Sequence, residues 1–253
     1  MKPPLLIANW KMKLLPEQER NLAGEIITAI DGKGGKTEVV ICPTHLSIDS
    51  ISSQAGGTDI VLGAQDACWE HEGALTGEIS AEALAGYGVK YCIVGHSERR
   101  RNFGETDDMI NKKALSLLVH SVTPVICVGE THDERREGRQ EVTIMRQLRT
   151  VLKSLSGDFP IVVAYEPVWA ISPNGPAEPE HVAPMAELIY QTLIDRFSPE
   201  QVASNIRIIY GGSVDAENII SFLKVPHIAG ALLGAASLQS STFIPLVKTV
   251  MQQ

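Results

Sequence analysis

The residue pattern predicts an α/β protein folded as a single (β/α)8 barrel over residues 1–253. Three observations carry that reading. Eight short apolar runs alternate with helical patterns at roughly 32 residues per unit. The runs are rich in Val and Ile and continuous rather than alternating, as strands buried on both faces of a parallel sheet are. The length, 253 residues with 44% hydrophobic, suits one large core and the ~250 residues usual for such a barrel.

The elements follow in order. Leu5–Asn9 is the first strand, and Leu15-Pro16-Glu17 opens a helix to about Ile30, with Leu22, Ile26 and Ile30 at four-residue spacing. Val39–Cys42 is followed by a short helix at Ser47–Ser53, and Ile60–Ala64 by one at Ser80–Tyr87. Tyr91–Val94 leads into Glu105–His120, and Pro124–Val128 into Glu141–Leu155. Ile161–Tyr165 precedes Pro179–Phe197, whose proline suits a first helical turn. Ile206–Tyr210 precedes Asp215–Leu223, with Asp215 as its cap, and Ile228–Leu233 precedes Ser241–Met251. The competing architecture is an open doubly wound sheet. It would carry a glycine-rich G-x-G-x-x-G turn after the first strand, where this chain has Asn9-Trp10-Lys11-Met12-Lys13.

Charge narrows the function classes. With 22 Lys+Arg against 30 Asp+Glu the net charge is −8, which disfavours nucleic acid and anionic membrane surfaces as partners. No apolar run reaches membrane-span length and Met1-Lys2-Pro3-Pro4 opens no signal peptide, so a soluble, cytoplasmic protein is expected. The four cysteines have no C-x-x-C pairing; Cys42, Cys92 and Cys127 lie in apolar runs and read as buried thiols, with Cys127 close to a strand end.

In a parallel barrel every strand opens onto one face, where active sites are built. Asn9 and Lys11 follow the first strand, Gln65 and Asp66 the third, His96 and Glu98 the fourth, Glu130 the fifth and Glu166 the sixth. Each has a plainer alternative. Lys11 could be a solvated lysine, His96 a satisfied core histidine, and Glu98 the ion-pair partner of Arg99 or Arg100. Glu166 stands among Tyr165, Pro167 and Trp169, and desolvation there is expected to raise its pKa toward that of a general base. Gly211-Gly212-Ser213 and Gly234-Ala235 follow the last two strands, where main-chain N–H groups commonly bind phosphate. With no metal-ligand spacing and no nucleotide fingerprint, cofactor-free acid–base chemistry on a small phosphorylated substrate is expected.

At these residues the chain resembles the triosephosphate isomerase family. The shared stretches are Ala8-Asn9-Trp10-Lys11-Met12, Gly63-Ala64-Gln65-Asp66, Gly73–Ser80, Val94–Arg100 and Phe103-Gly104-Glu105. Cys127–Thr131, Ala164–Ile171 and Tyr210–Val214 continue the match through nearly the whole chain. The resemblance implies a TIM barrel that interconverts dihydroxyacetone phosphate and glyceraldehyde 3-phosphate as a cofactor-free homodimer in glycolysis and gluconeogenesis. It implies Glu166 as the base, His96 as a neutral electrophile and proton shuttle, and a closing loop, which is the established description of the family. Lys11 would offset substrate charge, Asn9 orient the substrate, and Glu98 support Lys11 and His96. Main-chain N–H groups near Ser172, Ser213, Gly234 and Ala235 would hold the phosphate, and His71–Glu78 would project into the partner subunit. The chain departs from the family at Ser172-Pro173-Asn174-Gly175-Pro176 in the lid, at Ala235 and at Lys13, none of which replaces a side chain expected in catalysis. A Schiff-base aldolase using Lys11 and a non-catalytic phosphate-binding barrel are the competing functions.

Overall fold

The computed structural model describes residues 2–32, 36–170 and 177–253. Eight parallel strands close into a barrel in sequence order: β1 (Leu5–Asn9), β2 (Glu38–Cys42), β3 (Ile60–Ala64), β4 (Tyr91–Val94), β5 (Thr123–Val128), β6 (Ile161–Tyr165), β7 (Ile206–Tyr210) and β8 (Ile228–Leu233). Closure is made by β8 on β1, where Leu5 pairs with Gly230. A Cβ at Gly230 would stand 2.0 Å from the Leu5 carbonyl oxygen, so only glycine fits that seam.

Each strand is buried on both faces, which is why its sequence is apolar without alternation. Leu5, Ile7, Val40, Cys42, Ile93, Val125, Cys127, Val162, Ala164, Ile209 and Leu232 pack together as one core. Their strand neighbours, such as Leu6, Ala8, Val39 and Ile41, belong to a second core shared with the helices. At the N-terminal ends of the strands Glu38 accepts hydrogen bonds from Tyr91 Oη (2.6 Å) and Arg207 Nη1 (2.7 Å), satisfying a half-buried carboxylate. The four cysteines are free and buried.

The helices are α1 (Pro16–Ile30), α2 (Ile48–Ala55), α3 (Ala81–Gly86), α4 (Ser97–Phe103), α5 (Asp107–Val119), α6 (His132–Arg136), α7 (Gln140–Leu152), α8 (Pro179–Ile194), α9 (Pro199–Asn205), α10 (Ile219–Leu223) and α11 (Ser240–Met251). The long ones stand where their periodicity places them. Three short ones, α4, α6 and α9, have too few turns to display a period and are absent from the sequence reading. Helix α5 starts after Glu105 because Thr106 caps it, its hydroxyl accepting from Met109 N at 3.3 Å, while Glu105 turns inward. Asp215 is not the cap of α10. It accepts from Glu217 N and Asn218 N, both at 2.9 Å, and so stabilises the turn that precedes the helix. Among the described residues no helix is long and apolar enough to cross a membrane.

Candidate active site

At the C-terminal ends of the strands a pocket of about 180 Å³ is lined by Asn9, Lys11, His96 and Glu166 on one side and Gly211–Val214, Gly234 and Ala235 on the other. A larger hollow of about 590 Å³ lies behind Glu166, walled by Arg100, Asp107, Cys127 and Val168. It reaches neither Lys11 nor His96 nor the glycine turns. Convergence of chemistry, not volume, marks the smaller pocket as the candidate site.

Lys11 reaches the pocket through a strained turn. Its φ is 55°, in the left-handed region, which costs an ordinary residue roughly 1–2 kcal/mol. Neighbours hold it there: Lys11 N donates to Asn9 Oδ1 at 3.0 Å, and Gln65 Nε2 donates to Lys11 O at 2.9 Å and to Cys42 O at 3.0 Å. The ammonium lies 2.7 Å from Glu98 Oε1. Across the pocket Gly234 leaves space for the lysine stem; a Cβ there would stand 3.3 Å from Lys11 Cε. Strain retained under such constraint is a signature of functional positions.

His96 is set by the start of α4. Its Nδ1 accepts from Glu98 N at 3.3 Å, so the ring proton resides on Nε2. That nitrogen faces Glu166 Oε1 at 2.9 Å, and Ser97 N donates to Glu166 Oε2, also at 2.9 Å. Glu166 is buried, and burial pushes its carboxyl up. His96, the Ser97 N–H and Lys11 together outweigh that push and hold the pKa below the usual carboxylate value. The upward shift expected from the sequence is thus corrected, because donors placed by another strand overcome desolvation. Burial lowers the His96 pKa, but the facing Glu166 carboxylate carries it above its ordinary value. Most of that upward push comes from Glu166 resting on the ring, with Glu98 adding to it.

The other polar residues at strand ends divide between pocket and scaffold. Glu98 pairs with Lys11 and not with its sequence neighbours: Arg99 pairs with Asp66 (2.8 Å) and Glu105 (3.4 Å), and Arg100 with Asp107 (2.5 Å). Asp66 is turned away from the pocket into a cluster with Lys113, whose ammonium lies 2.7 Å from Asp66 Oδ1 and also bonds Glu105. Burial raises the Asp66 pKa against the pull of Lys113. Lys113 went unread in the sequence, although it falls in the Ile110–Ala114–Leu117 stripe of α5, a core position for which a charge needs a partner. Glu130 is fully buried and accepts from Trp169 Nε1 (2.7 Å), Tyr165 Oη (3.1 Å) and Arg135 Nη1 (3.2 Å), tying the start of the loop after β6 to the barrel. Ser213 Oγ donates to Ala170 O at 3.3 Å. Ser172 and the rest of the segment 171–176, with the expected lid tip, lie outside the described residues.

Comparison with known proteins meets this geometry. The family model described as triosephosphate isomerase matches residues 4–250. The triosephosphate isomerase of Thermoanaerobacter pseudethanolicus is 42% identical over 249 residues, covering 98% of this chain and 99% of that protein. That of Gluconacetobacter diazotrophicus is 40% identical over 247 residues, covering 98% of each. The crystal structure of triosephosphate isomerase from Bartonella henselae superposes with a TM-score of 0.88 at 32% identity, over 99% of both chains. Family enzymes interconvert dihydroxyacetone phosphate and glyceraldehyde 3-phosphate, a step of glycolysis, and neither aldolase chemistry nor mere phosphate binding finds support in these likenesses. An eight-stranded closed barrel, full-length identity and the pocket at its strand ends agree: this chain belongs to the triosephosphate isomerase family.

Proposed function

We propose that the chain carries out its isomerisation with Glu166 as the base, His96 as the electrophile and Lys11 as the charge-stabilising cation. The supporting observation is the direct approach of Glu166 and His96 at 2.9 Å on one wall of a pocket that Lys11 and two glycine turns complete. In the ketose-to-aldose direction Glu166 takes the proton from C1, and the C–H electron pair becomes the C1–C2 double bond of an enediolate. The Nε2–H of His96 passes its proton to the C2 oxygen that gains charge. The same nitrogen takes the proton from the C1 hydroxyl, so that C1 becomes the carbonyl carbon, and Glu166 returns its proton to C2. To act, Glu166 must leave the Ser97 N–H for the substrate carbon. Once it leaves, burial and the Glu98 N–H donor favour neutral imidazole, the form that polarises a carbonyl without ionising first.

Lys11 offsets the phosphate and enediolate charge, with Glu98 holding its ammonium and Asn9 fixing both its turn and the substrate. Main-chain N–H groups of Ser213, Gly234 and Ala235, with Ser172 from the loop after β6, hold the phosphate. The enzyme works without a cofactor, as one domain in the cytoplasm, on a small phosphorylated triose and not on nucleic acid.

A homodimer is part of the proposal. Residues 71–78 are all exposed, and Met12 (92%), Leu15 (69%), Leu46 (83%) and Phe103 (70%) offer apolar area for a second copy to cover. Sedimentation at micromolar concentration should give a dimer, and a fully active monomer would overturn that part. The catalytic roles are tested by running isomerisation in D2O and, in a separate incubation, by adding borohydride to enzyme with substrate. Product should carry solvent deuterium at the carbon next to the carbonyl while Lys11 stays unlabelled. Borohydride tagging of Lys11 would move the chemistry to a Schiff base.

A further inference from the structure

Strands β4 and β5 separate after Val94 and Ile126, the last pair in their ladder. Gly95 then turns with a φ of 71°, which aims His96 into the pocket. Two carbonyls are left in the notch between the strands, and the guanidinium of Arg100 occupies it. Nε donates to Gly95 O at 2.8 Å and Nη2 to Cys127 O at 3.0 Å, while Nη1 donates to Asp107 Oδ1 at 2.5 Å. Asp107, the first residue of α5, is buried and is also held by Arg146. All three guanidinium nitrogens are engaged. A lysine carries its three donors on a single nitrogen and lacks the planar fork that spans Gly95 O, Cys127 O and Asp107 together.

We infer that Arg100 is a positioning residue for both reacting side chains, an inference that rests on the roles proposed above for Glu166 and His96. On the β4 side it fixes the peptide leading into His96 and hence the Ser97 N–H that bonds Glu166 at 2.9 Å. On the β5 side it anchors Cys127, next to Val128, whose carbonyl accepts from Glu166 N at 2.8 Å. Contact continues through Gly129, which sits so close that a Cβ there would lie 1.8 Å from Glu166 O. Arg100 does not line the substrate pocket; it stands in the wall of the hollow behind Glu166. It therefore acts through the placement of other groups, with no substrate contact of its own.

The test uses Arg100→Lys and Arg100→Gln in the full-length enzyme, with Arg100→Ala assayed with and without added guanidinium. Loosening both strand ends should lower kcat about 10–100-fold, the scale of a sub-ångström to 1 Å misplacement. KM should move by less than roughly twofold, because the glycine turns after β7 and β8 are untouched. The acid limb of kcat/KM should shift to higher pH as the Ser97 N–H loses its hold on the Glu166 carboxylate. Guanidinium should restore part of the kcat of Arg100→Ala; if that variant does not fold, the Lys and Gln forms carry the test. A lowered melting temperature with kcat per folded enzyme within roughly twofold of wild type, and an unmoved acid limb, would make Arg100 merely structural and overturn the inference. Glu166→Gln is run alongside. Its retaining turnover would defeat the underlying roles, whereas its inactivity beside an unimpaired Arg100→Lys would defeat only the inference about Arg100.

Discussion

Replacing Gly211 by alanine tests the placement of the base without touching it. Gly211 is not in the left-handed region, so alanine meets no backbone penalty there. Its Cβ would stand 2.8 Å from Glu166 Cγ and 3.2 Å from Tyr165 O, against 3.4–4 Å for ordinary contact. The main chain cannot give freely, since Gly211 N donates to Tyr165 O at 2.7 Å. Glu166 must therefore retreat by about 0.6 Å or more, where dispersion contact is recovered. A shift on that scale lowers kcat about 10–100-fold. Overpacking of this kind destabilises by about 1–3 kcal/mol. For a chain of this size that lowers the melting temperature by roughly 2–4 °C per kcal/mol. Steady-state assays in both directions, paired with thermal unfolding, measure both effects, and KM should change less than kcat. Added to Glu166→Gln the alanine should cost little more, since both substitutions act on one group. A folded Gly211→Ala enzyme with kcat within roughly threefold of wild type, or a full additional loss in the double variant, would refute the reasoning.

Other expectations follow from the same contacts. Lys113→Met leaves Asp66 and Glu105 in the interior without their shared ammonium and should cost about 3–5 kcal/mol in denaturant unfolding, with a loss under ~1 kcal/mol contradicting the role of the cluster. Glu130→Gln weakens the bonds from Tyr165 and Trp169 at a fully buried position and should cost about 1–3 kcal/mol, read as a lower melting temperature. The depressed Glu166 pKa means that its contacts stabilise the fold above about pH 4 and are lost as pH falls through the folded value. The raised pKa of His96 has the opposite sign: its contribution is complete below about pH 6.5 and disappears as pH rises through the folded value. Stability measured from pH 3 to 9 should therefore be flatter at both ends in Glu166→Gln than in wild type, and parallel curves would contradict the pairing.

The barrel was legible because a parallel strand covered on both faces leaves an uninterrupted apolar run. All eight strands stand at the expected places, differing by single residues at Glu38 and Thr123. The short helices α4, α6 and α9 were not legible, since they end before a period can repeat, whereas α3 and α10, equally short, fall inside stretches read as helical from the alternation of elements. Strand-end position placed Lys11, His96 and Glu166 among the candidates, and the fold brings these three to one pocket. Their partners could not be read from local spacing. Glu98 has two arginines beside it in sequence, yet it bonds a lysine 87 positions away. Ser97, whose N–H joins His96 and Lys11 in reversing the expected direction of the Glu166 pKa, lies 69 positions from it. Asp66 and Glu130, read with the functional residues at strand ends, serve instead as buried anchors for Lys113 and Trp169.

Proton abstraction by Glu166 is tested most directly by the turnover of purified Glu166→Gln with glyceraldehyde 3-phosphate, alongside its circular dichroism and melting curve. The amide keeps the size of the side chain but cannot take a proton from carbon, so kcat should fall by at least ~10²–10⁴-fold, the usual contribution of a general base, in a folded enzyme. Turnover close to wild type in that folded variant would remove Glu166 from the reaction.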